Sequence, residues 1–264
     1  MDYELLCTKV LAIARLTGNF IRKESMNFDA QKIEFKGLND LVSYVDKQAE
    51  EQLVSNLSEL IPGAGFTTEE ETVNSKGDRY NWIIDPLDGT TNFIHGIPVY
   101  SISIALYEDD EPVIGVVYEI NRSEMFYAYK NGPAFLNGKE ITVSKRSALS
   151  DCLLATGFPY YQFDKQAQYM QLFSEMMRKC HGLRRMGSAA VDLAYVACGR
   201  FDAFFEYNLN AYDVAGGAFI VQQAGGKIMN FSGGSEFINT REILAVNGLI
   251  DGELLEAIHR NFNT

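Results

Sequence analysis

The stretch of sequence that decides the fold reads Trp82-Ile83-Ile84-Asp85-Pro86-Leu87-Asp88-Gly89-Thr90-Thr91-Asn92-Phe93. Its apolar start predicts a short buried strand, after which Pro86 and Gly89 bend the chain into a loop. Two carboxylates that follow a buried strand, Asp85 and Asp88, can point at one centre, and hard divalent cations bind such oxygen ligands. The residues from Gly89 onward offer backbone N–H groups to a phosphate at a helix start. The pattern fits an acidic turn with an Asp helix cap equally well, so both interpretations stay open here.

Carboxylates elsewhere in the chain are candidates for the same centre. Glu69 and Glu70 lie in an acidic loop shortly before the quoted strand, and Asp213 begins a predicted helix. Asp46 lies on another predicted helix, beside Val45 at the apolar boundary. An Asp at a helix start is usually a cap, and one at an apolar boundary is usually solvated. Each residue therefore has an ordinary structural interpretation beside a role in metal binding.

Hydrophobic periodicity divides the chain into two halves of different character. In residues 1–145 it predicts helices over 3–24 and 40–60 followed by neighbouring strands, which indicates an α+β half with an antiparallel sheet. In residues 146–264 strands and helices alternate, which is typical of α/β folds. With no flexible linker, the halves are expected to share one body. The other predicted elements are strands at 82–85, 100–107, 112–120, 124–130, 202–207, 227–231 and 243–247, a turn at Asn137-Gly138, and helices at 188–199 and 213–225.

Composition excludes several classes of function. The 264 residues are 47% hydrophobic and 22% charged, as in an ordinary globular protein, and the net charge is −12. A chain this acidic is a poor generic binder of nucleic acid and of anionic membranes. It carries no signal-peptide pattern and no apolar run of the roughly 20 residues that span a bilayer. Its four cysteines form no CxxC pair, so we expect reduced thiols and a cytoplasmic protein.

The quoted stretch resembles the first signature of the inositol monophosphatase family almost residue for residue. Tyr212-Asp213-Val214-Ala215-Gly216-Gly217, followed by Gln223-Ala224-Gly225-Gly226, resembles the second signature. Gly187-Ser188-Ala189-Ala190 and Asp40-Leu41-Val42-Ser43-Tyr44-Val45-Asp46 also match, so the resemblance covers nearly the whole chain in the same order. It implies a layered αβαβα sugar-phosphatase-like fold and a magnesium-dependent, lithium-sensitive, homodimeric phosphatase. The implied substrate is a small polyol phosphate, with inositol 1-monophosphate as the first expectation.

The resemblance also implies metal and catalytic residues. Two Mg²⁺ ions, or three with a weaker site near Glu69, would be held by Glu69, Asp85, the carbonyl oxygen of Leu87, Asp88 and Asp213. Two such cations neutralise phosphate oxygens and activate water. Thr90, oriented by Asp46, would position and deprotonate that water, and Glu69 belongs to the same catalytic group. Thr68 stands before Glu69 where the family has Gly, which leaves Glu70 as the alternative ligand.

The substrate contacts implied by the resemblance are Gly89, Thr90, Gly187, Ser188, Ala189, Glu206 and Asp213. Glu206 lies seven residues before Asp213, where the family places a glutamate against substrate hydroxyls, and such a carboxylate suits a polyol. Lys36 resembles a residue of the phosphate and metal loop, with a solvated lysine as the alternative. Tyr212 replaces the usual Trp and is expected to serve as the same aromatic wedge.

Other chemistries find less support in the sequence. His95, His181 and His259 are scattered and form no His-based metal site, and no GxSxG nucleophile motif occurs. Attack by water is therefore favoured over a covalent intermediate. The alternatives are a phosphatase for histidinol phosphate, fructose 1,6-bisphosphate or NADP, and a binding protein of the transcription machinery. All the implied metal-ligand aspartates are present, which favours the enzyme. The expected partners are a small phosphorylated substrate and a second copy of the chain.

Overall fold

Two β-sheets alternate with three layers of helices. The computed structural model describes residues 1–27, 33–37, 40–159 and 164–262, but no side chains between 33 and 42. The helices are α1 (Tyr3–Ser25), α2 (Tyr44–Leu60), α3 (Thr90–Ile94), α4 (Gln166–Lys179), α5 (Ala189–Ala197), α6 (Ala211–Gln223), α7 (Phe237–Thr240) and α8 (Asp251–Phe262). The strands are β1 (Ile33–Gly37), β2 (Asp40–Ser43), β3 (Gly65–Thr68), β4 (Tyr80–Asp88), β5 (Ser101–Glu108), β6 (Glu111–Glu119), β7 (Glu124–Tyr129), β8 (Ala134–Leu136), β9 (Lys139–Ile141), β10 (Leu153–Thr156), β11 (Gly182–Arg184), β12 (Ala203–Tyr207), β13 (Lys227–Met229) and β14 (Glu242–Val246).

The larger sheet has seven strands in the order β3-β4-β5-β6-β7-β8-β9, and all neighbours pair antiparallel except β3 and β4. The smaller sheet has five strands in the order β11-β10-β12-β14-β13, with parallel pairs around β10 and antiparallel pairs around β14. β1 and β2 form a separate hairpin. The layers run α1 and α2, the larger sheet, α5 and α6, the smaller sheet, then α4 and α8. This is the predicted αβαβα arrangement.

Alternation of side chains along the strands fills a core on each face of each sheet. Ile102 and Ile104 of β5 pack beneath α1 and α2. Phe204 of β12 faces the central layer with α5 and α6, whereas its neighbour Phe205 faces α4 and α8. The close approach of α6 to the larger sheet depends on Gly115, because a Cβ there would lie 2.5 Å from the carbonyl oxygen of Gly216. Helix α6 therefore packs directly on β4, β5 and β6, and α5 contacts β5 and β6 beside it.

Most predicted elements are confirmed to within a few residues, and the differences are of three kinds. The predicted helix over 40–60 is wrong at its start, since 40–43 form β2 and Ser43 caps α2. A polar capping box at Ser43 and Asp46 stops the helix from extending backward. Helices α4, α7 and α8 and strands β1, β3, β10 and β11 were not predicted. The sheet of the first half is not wholly antiparallel because β3 pairs parallel with β4. The division at residue 145 stays a prediction.

Two expectations about the chain's surroundings can be compared with the structure. Among the helices of the described residues, none combines the length and apolarity that crossing a bilayer requires. The four cysteines are free thiols, with Cys7 and Cys152 buried and the other two half-buried.

Candidate active site

A bulge in β4 brings the two carboxylates of the quoted stretch to one side of the sheet. Asp85 pairs with Ser103 of β5, and the pairing resumes with Asp88 opposite Ser101. Three steps along β4 therefore match two steps along β5, which is one extra residue in β4. In a regular strand, residues three apart point to opposite faces. The extra residue cancels that alternation, so Asp85 and Asp88 point toward the same centre.

Asp213 completes a cluster of three carboxylates. Oxygen atoms of Asp85, Asp88 and Asp213 all lie within 4.8 Å of one another. Asp213 stands in the first turn of α6, where its Oδ2 accepts a 2.6 Å hydrogen bond from the backbone N–H of Asn210. The cap of this helix is Asn210, and Asp213 is the third residue of its capping box, so the predicted helix start at Asp213 was two residues late. This bond fixes the carboxylate and leaves one oxygen for the cluster.

Asp88 also ties the cluster to the start of α5. Its Oδ2 accepts hydrogen bonds from the hydroxyl of Ser188 at 2.6 Å and from the backbone N–H of Ala190 at 2.7 Å. Ser188 is the N-cap of α5 and its Oγ lies 3.3 Å from the N–H of Val191. The loop through Gly187 and Ser188 is thus held against β4, and Oδ1 of Asp88 remains available to the cluster.

Thr90 lies at the edge of the cluster between two acceptors. Its hydroxyl oxygen lies 2.8 Å from Oδ1 of Asp46 and 3.0 Å from the carbonyl oxygen of Leu87. Asp46 is fully buried, and its other oxygen accepts from the backbone N–H and the hydroxyl of Ser43. Gly89 makes this turn possible, since its φ of +100° is unfavourable for other residues and a Cβ would lie 3.0 Å from a backbone oxygen.

Glu69 reaches the cluster from the loop after β3. Its carboxyl group interacts with that of Asp85, and its buried Oε2 has no hydrogen-bond partner among the described residues. The loop is held by Glu50 of α2, whose Oε2 accepts from the N–H of Glu70 at 2.8 Å and whose Oε1 accepts from the N–H of Thr72 at 2.9 Å. The backbone beside Glu69 is therefore anchored on a buried carboxylate.

Burial, together with the crowding of carboxylates, raises the pKa values of the three aspartates in the cluster. Burial and the charges of Glu69, Asp88 and Asp213 hold the pKa of Asp85 well above its ordinary value. Burial likewise raises the pKa of Asp88 to about 6, although the bonds from Ser188 and Ala190 lower it. The pKa of Asp213 rises to about 7 because of burial and the charge of Asp88.

This donor set fits a hard divalent cation. Such an ion takes carboxylate and carbonyl oxygens as ligands, and its charge relieves the repulsion that raises these pKa values. The buried Oε2 of Glu69, which has no hydrogen-bond partner among the described residues, points to the same need for a cation. The residues that would hold the ion or ions are Glu69, Asp85, Leu87 through its carbonyl, Asp88 and Asp213.

A cavity of about 160 Å³ opens beside Asp88 and Asp213 of the cluster, far more than the roughly 10–15 Å³ that one water needs. Five predicted substrate residues line it: Gly187, Ser188, Ala189, Glu206 and Asp213. Glu206 is buried at the end of β12, and burial raises its pKa to about 8. Its carboxylate packs against Gly157, where a Cβ would lie 2.1 Å from Oε2, so a side chain at residue 157 would displace it.

Some site residues escaped the sequence analysis. Asp192 and Arg185 line the same cavity, and Glu50 anchors the Glu69 loop. A signal existed for two of them: Asp192 is a charge inside an otherwise apolar helix, and Glu50 follows Asp46 by one helical turn on the same face. The side chain of Lys36 lies outside the described part of the chain, so its role stays a prediction.

Comparison with known proteins places this geometry in context. The sequence pattern that defines the inositol monophosphatase family matches residues 3–263. An inositol-1-monophosphatase of Mesorhizobium japonicum is 35% identical over 261 residues, which cover 98% of each chain. The Nus factor SuhB of Pseudomonas aeruginosa is 40% identical over 242 residues, covering 90% of this chain and 89% of that protein. The crystal structure of the extragenic suppressor protein suhB from Bartonella henselae has a TM-score of 0.91 at 36% identity, covering 96% of this chain and 98% of that one.

Proposed function

Because this chain belongs to the inositol monophosphatase family, we propose that it is a Mg²⁺-dependent phosphomonoesterase that hydrolyses a small polyol phosphate, most simply inositol 1-monophosphate. One observation carries the proposal: the carboxylates of Asp85, Asp88 and Asp213 lie within 4.8 Å of one another at the mouth of a cavity that contains the buried Glu206. The cluster suits the phosphate end of such a substrate, and the cavity suits the alcohol end.

The metal would be held by the five residues named above, in two positions with a weaker third near Glu69. When bound, Mg²⁺ supplies charge that neutralises phosphate oxygens and lowers the pKa of a water molecule. Asp85 stands at the centre of this arrangement, since it contacts Glu69 and lies beside both Asp88 and Asp213. Glu69 is preferred to Glu70 as the ligand because the carboxyl groups of Glu69 and Asp85 are already in contact.

Thr90 and Asp46 would handle the proton of the attacking water. Asp46 is buried and accepts the hydroxyl proton of Thr90, which turns a lone pair of the Thr90 oxygen outward. That lone pair can accept a proton from a water placed beside the cluster as the Thr90 hydroxyl proton passes to the Asp46 carboxylate, so that Asp46 ends up holding the proton. Asp46 cannot rotate away, because Ser43 donates twice to its second oxygen.

The alcohol part of the substrate would lie among Gly187, Ser188, Ala189 and Glu206. Two of these residues are held in place independently of substrate, since Ser188 is bound to Asp88 and Glu206 is packed on Gly157. Hydroxyl groups of a polyol are natural donors to the Glu206 carboxylate, whose burial strengthens each such bond. A phosphate ester without hydroxyl groups would use the cluster alone.

A phosphatase assay with and without metal tests the proposal. The purified protein is treated with EDTA, dialysed, and assayed against inositol 1-phosphate, histidinol phosphate, fructose 1,6-bisphosphate and NADP with graded Mg²⁺. We expect activity only with Mg²⁺, inhibition by lithium, and the highest kcat/KM on inositol 1-phosphate. Turnover that survives the removal of metal would contradict the mechanism. Preference for another ester would keep the phosphatase and replace its substrate.

A second candidate is a regulatory binding role in transcription. It is favoured by relatives such as the Pseudomonas aeruginosa protein, which carries the name Nus factor SuhB. An Asp213→Asn variant separates the two roles, because it removes a metal ligand but keeps the acceptor for Asn210. If this variant rescues the phenotype of a strain of the source organism that lacks the gene, the binding role is the essential one. Failure to restore it favours the phosphatase.

We also propose a cytoplasmic homodimer, on family membership alone. Sedimentation at micromolar concentration should show a species of about twice the 29.6 kDa chain mass. A single species at the chain mass would remove that proposal without affecting the chemistry.

A further inference from the structure

Asp192 is a charged residue in a helix that is otherwise apolar and wholly buried. Helix α5 reads Ala-Ala-Val-Asp-Leu-Ala-Tyr-Val-Ala, and Asp192 is only 2% exposed. It lies four residues after Ser188, so both side chains are on the same face of α5. Ser188 donates a hydrogen bond to Asp88 on that face, and Asp192 lines the same cavity. The helix thus carries one carboxylate into the interior of the site.

One oxygen of this carboxylate is not satisfied by the described residues. Its Oδ1 is buried and has no hydrogen-bond partner among the described residues. Asp202, a buried aspartate in the same half of the chain, shows the usual arrangement instead. Its oxygens accept from the backbone N–H of Leu153 at 2.7 Å, from Arg146 at 3.0 Å and from Ser144. A buried carboxylate oxygen without a donor destabilises the fold, so the unpartnered Oδ1 of Asp192 needs another explanation.

The charges around Asp192 show which ligand would satisfy it. Glu206 and Asp192 repel each other across this end of the cavity, while Arg185 attracts both. The guanidinium of Arg185, which lines the cavity, lies 5.6 Å from the ring centre of Phe158. The cavity lining holds four carboxylates, those of Asp88, Asp192, Glu206 and Asp213, and one guanidinium, so its acceptors suit a molecule that is rich in hydrogen-bond donors. A second anion would be repelled.

We propose that Asp192 is a specificity-determining residue of the alcohol site, which together with Glu206 accepts hydrogen bonds from separate hydroxyl groups of a polyhydroxylated substrate. The inference rests on the proposed function and extends it. Glu206 enters from the end of β12 and Asp192 from α5, so the two carboxylates approach the substrate from different elements. Substrates with a single hydroxyl group, or with an additional phosphate at this end, would lose one of the two contacts or be repelled.

The test compares Asp192→Asn with Asp202→Asn. For each variant, kcat/KM is measured on inositol 1-phosphate and on p-nitrophenyl phosphate with saturating Mg²⁺, and Tm is measured without substrate. Asp192→Asn should lower kcat/KM on inositol 1-phosphate about ten- to a hundredfold and leave p-nitrophenyl phosphate within about twofold. Its Tm should equal or exceed that of the wild type, because a buried, unpartnered charge has been removed. Asp202→Asn should lower Tm and keep the ratio of the two activities unchanged.

Every result decides the question. Equal losses on both esters, no loss on either, or a lower Tm with an unchanged activity ratio would overturn the role of Asp192 and leave the phosphatase proposal standing. A wild-type protein that hydrolyses p-nitrophenyl phosphate but not inositol 1-phosphate would overturn the proposed substrate, and this inference with it.

Discussion

The hydroxyl of Thr90 donates a 2.8 Å hydrogen bond to Oδ1 of Asp46, a residue 44 positions earlier in the chain. Thr90 lies on the turn after β4, and Asp46 is buried in the first turn of α2. The bond therefore joins the edge of the carboxylate cluster to a helix of the outer layer. It orients the Thr90 oxygen while the Leu87 carbonyl, 3.0 Å away, competes for the same proton.

Removal of the Thr90 hydroxyl should slow catalysis with little effect on substrate binding. We expect Thr90→Ala to lower kcat by about 10²–10⁴-fold, the usual contribution of a positioned proton acceptor, and Thr90→Ser to keep most of the activity. The neighbouring Thr91, which is exposed, supplies the control, since Thr91→Ala should have nearly normal kcat. Steady-state kinetics on inositol 1-phosphate measures both. Full turnover in Thr90→Ala would exclude a role for this hydroxyl.

Replacement of Asp213 by asparagine should weaken metal binding without lowering the stability of the metal-free protein. Without metal, Asp213→Asn should have a Tm equal to or above the wild type, because one of three crowded carboxylates loses its charge. Added Mg²⁺ should raise the wild-type Tm but barely change that of the variant. The variant's kcat should fall about a hundred- to a thousandfold or more. Thermal unfolding with EDTA or with Mg²⁺ measures the first two effects, and an equal Mg²⁺ response in both proteins would contradict the metal assignment.

The raised pKa values of the site predict how stability depends on pH in metal-free protein. Glu206 titrates at about 8 in the folded chain, against an ordinary value of 4.5. Between those values the folded state binds more protons than the unfolded state, so the free energy of unfolding falls as pH rises. Below about 4.5 both states are protonated, and above about 8 the effect levels off.

Glu206→Gln should reduce that dependence. Across the pH range 5 to 8, the free energy of unfolding of metal-free protein should fall more steeply with pH in the wild type than in the variant. The two slopes should differ by up to about 1.4 kcal/mol per pH unit. Urea unfolding in EDTA at four pH values gives both slopes. Asp88 and Asp213, with pKa values of about 6 and 7, contribute in the same direction in both proteins, so the difference between the two slopes reports Glu206 together with its interaction with these two residues. Identical slopes would show that Glu206 ionises normally.

The effect of replacing Glu206 should also depend on the alcohol part of the substrate. Assayed above pH 8, where Glu206 is ionised, Glu206→Gln is expected to lower kcat/KM on inositol 1-phosphate about ten- to a hundredfold, the range for a hydrogen bond to a charged acceptor. Hydrolysis of p-nitrophenyl phosphate, which has no hydroxyl groups, should barely change. Asp213→Asn is the contrasting variant, because it should damage both reactions. If Glu206→Gln damages both equally, the glutamate does not contact the alcohol.

Glu50 should affect the metal requirement through the loop it anchors. Its carboxylate accepts from the backbone of Glu70 and Thr72, next to Glu69. Glu50→Ala should raise the Mg²⁺ concentration for half-maximal activity by about tenfold, because Glu69 is no longer held against Asp85. Mg²⁺ binding followed by calorimetry should weaken in parallel.

Glu51→Ala is the matched control for Glu50, since the adjacent glutamate is exposed on the same helix. It should leave the Mg²⁺ requirement and the calorimetric affinity as in the wild type. If both variants behave alike, the loop anchor has no part in metal binding.

Much of the fold could be predicted because its signals are local. Apolar runs and turn residues mark the strands of the larger sheet, and Asn137-Gly138 marks a hairpin whose two residues both have positive φ. Helix α4 escaped because its buried face rests on only three residues, Tyr169, Leu172 and Met176, among polar neighbours. The start of α2 escaped because strand and helix both accept the apolar residues before Tyr44.

The sequence by itself determined which side chains were candidates for the site, because Asp85, Asp88 and Asp213 each belong to a short stretch whose spacing and neighbours are specific. Only the tertiary structure decided how they meet. The extra residue in β4 depends on pairing with β5, and the contact of Asp88 with α5 joins residues about 100 positions apart. The unpartnered state of Asp192 is likewise a property of what surrounds it. A hydrogen bond or its absence depends on the distance between two atoms in space, and local sequence patterns do not determine that distance for residues far apart in the chain.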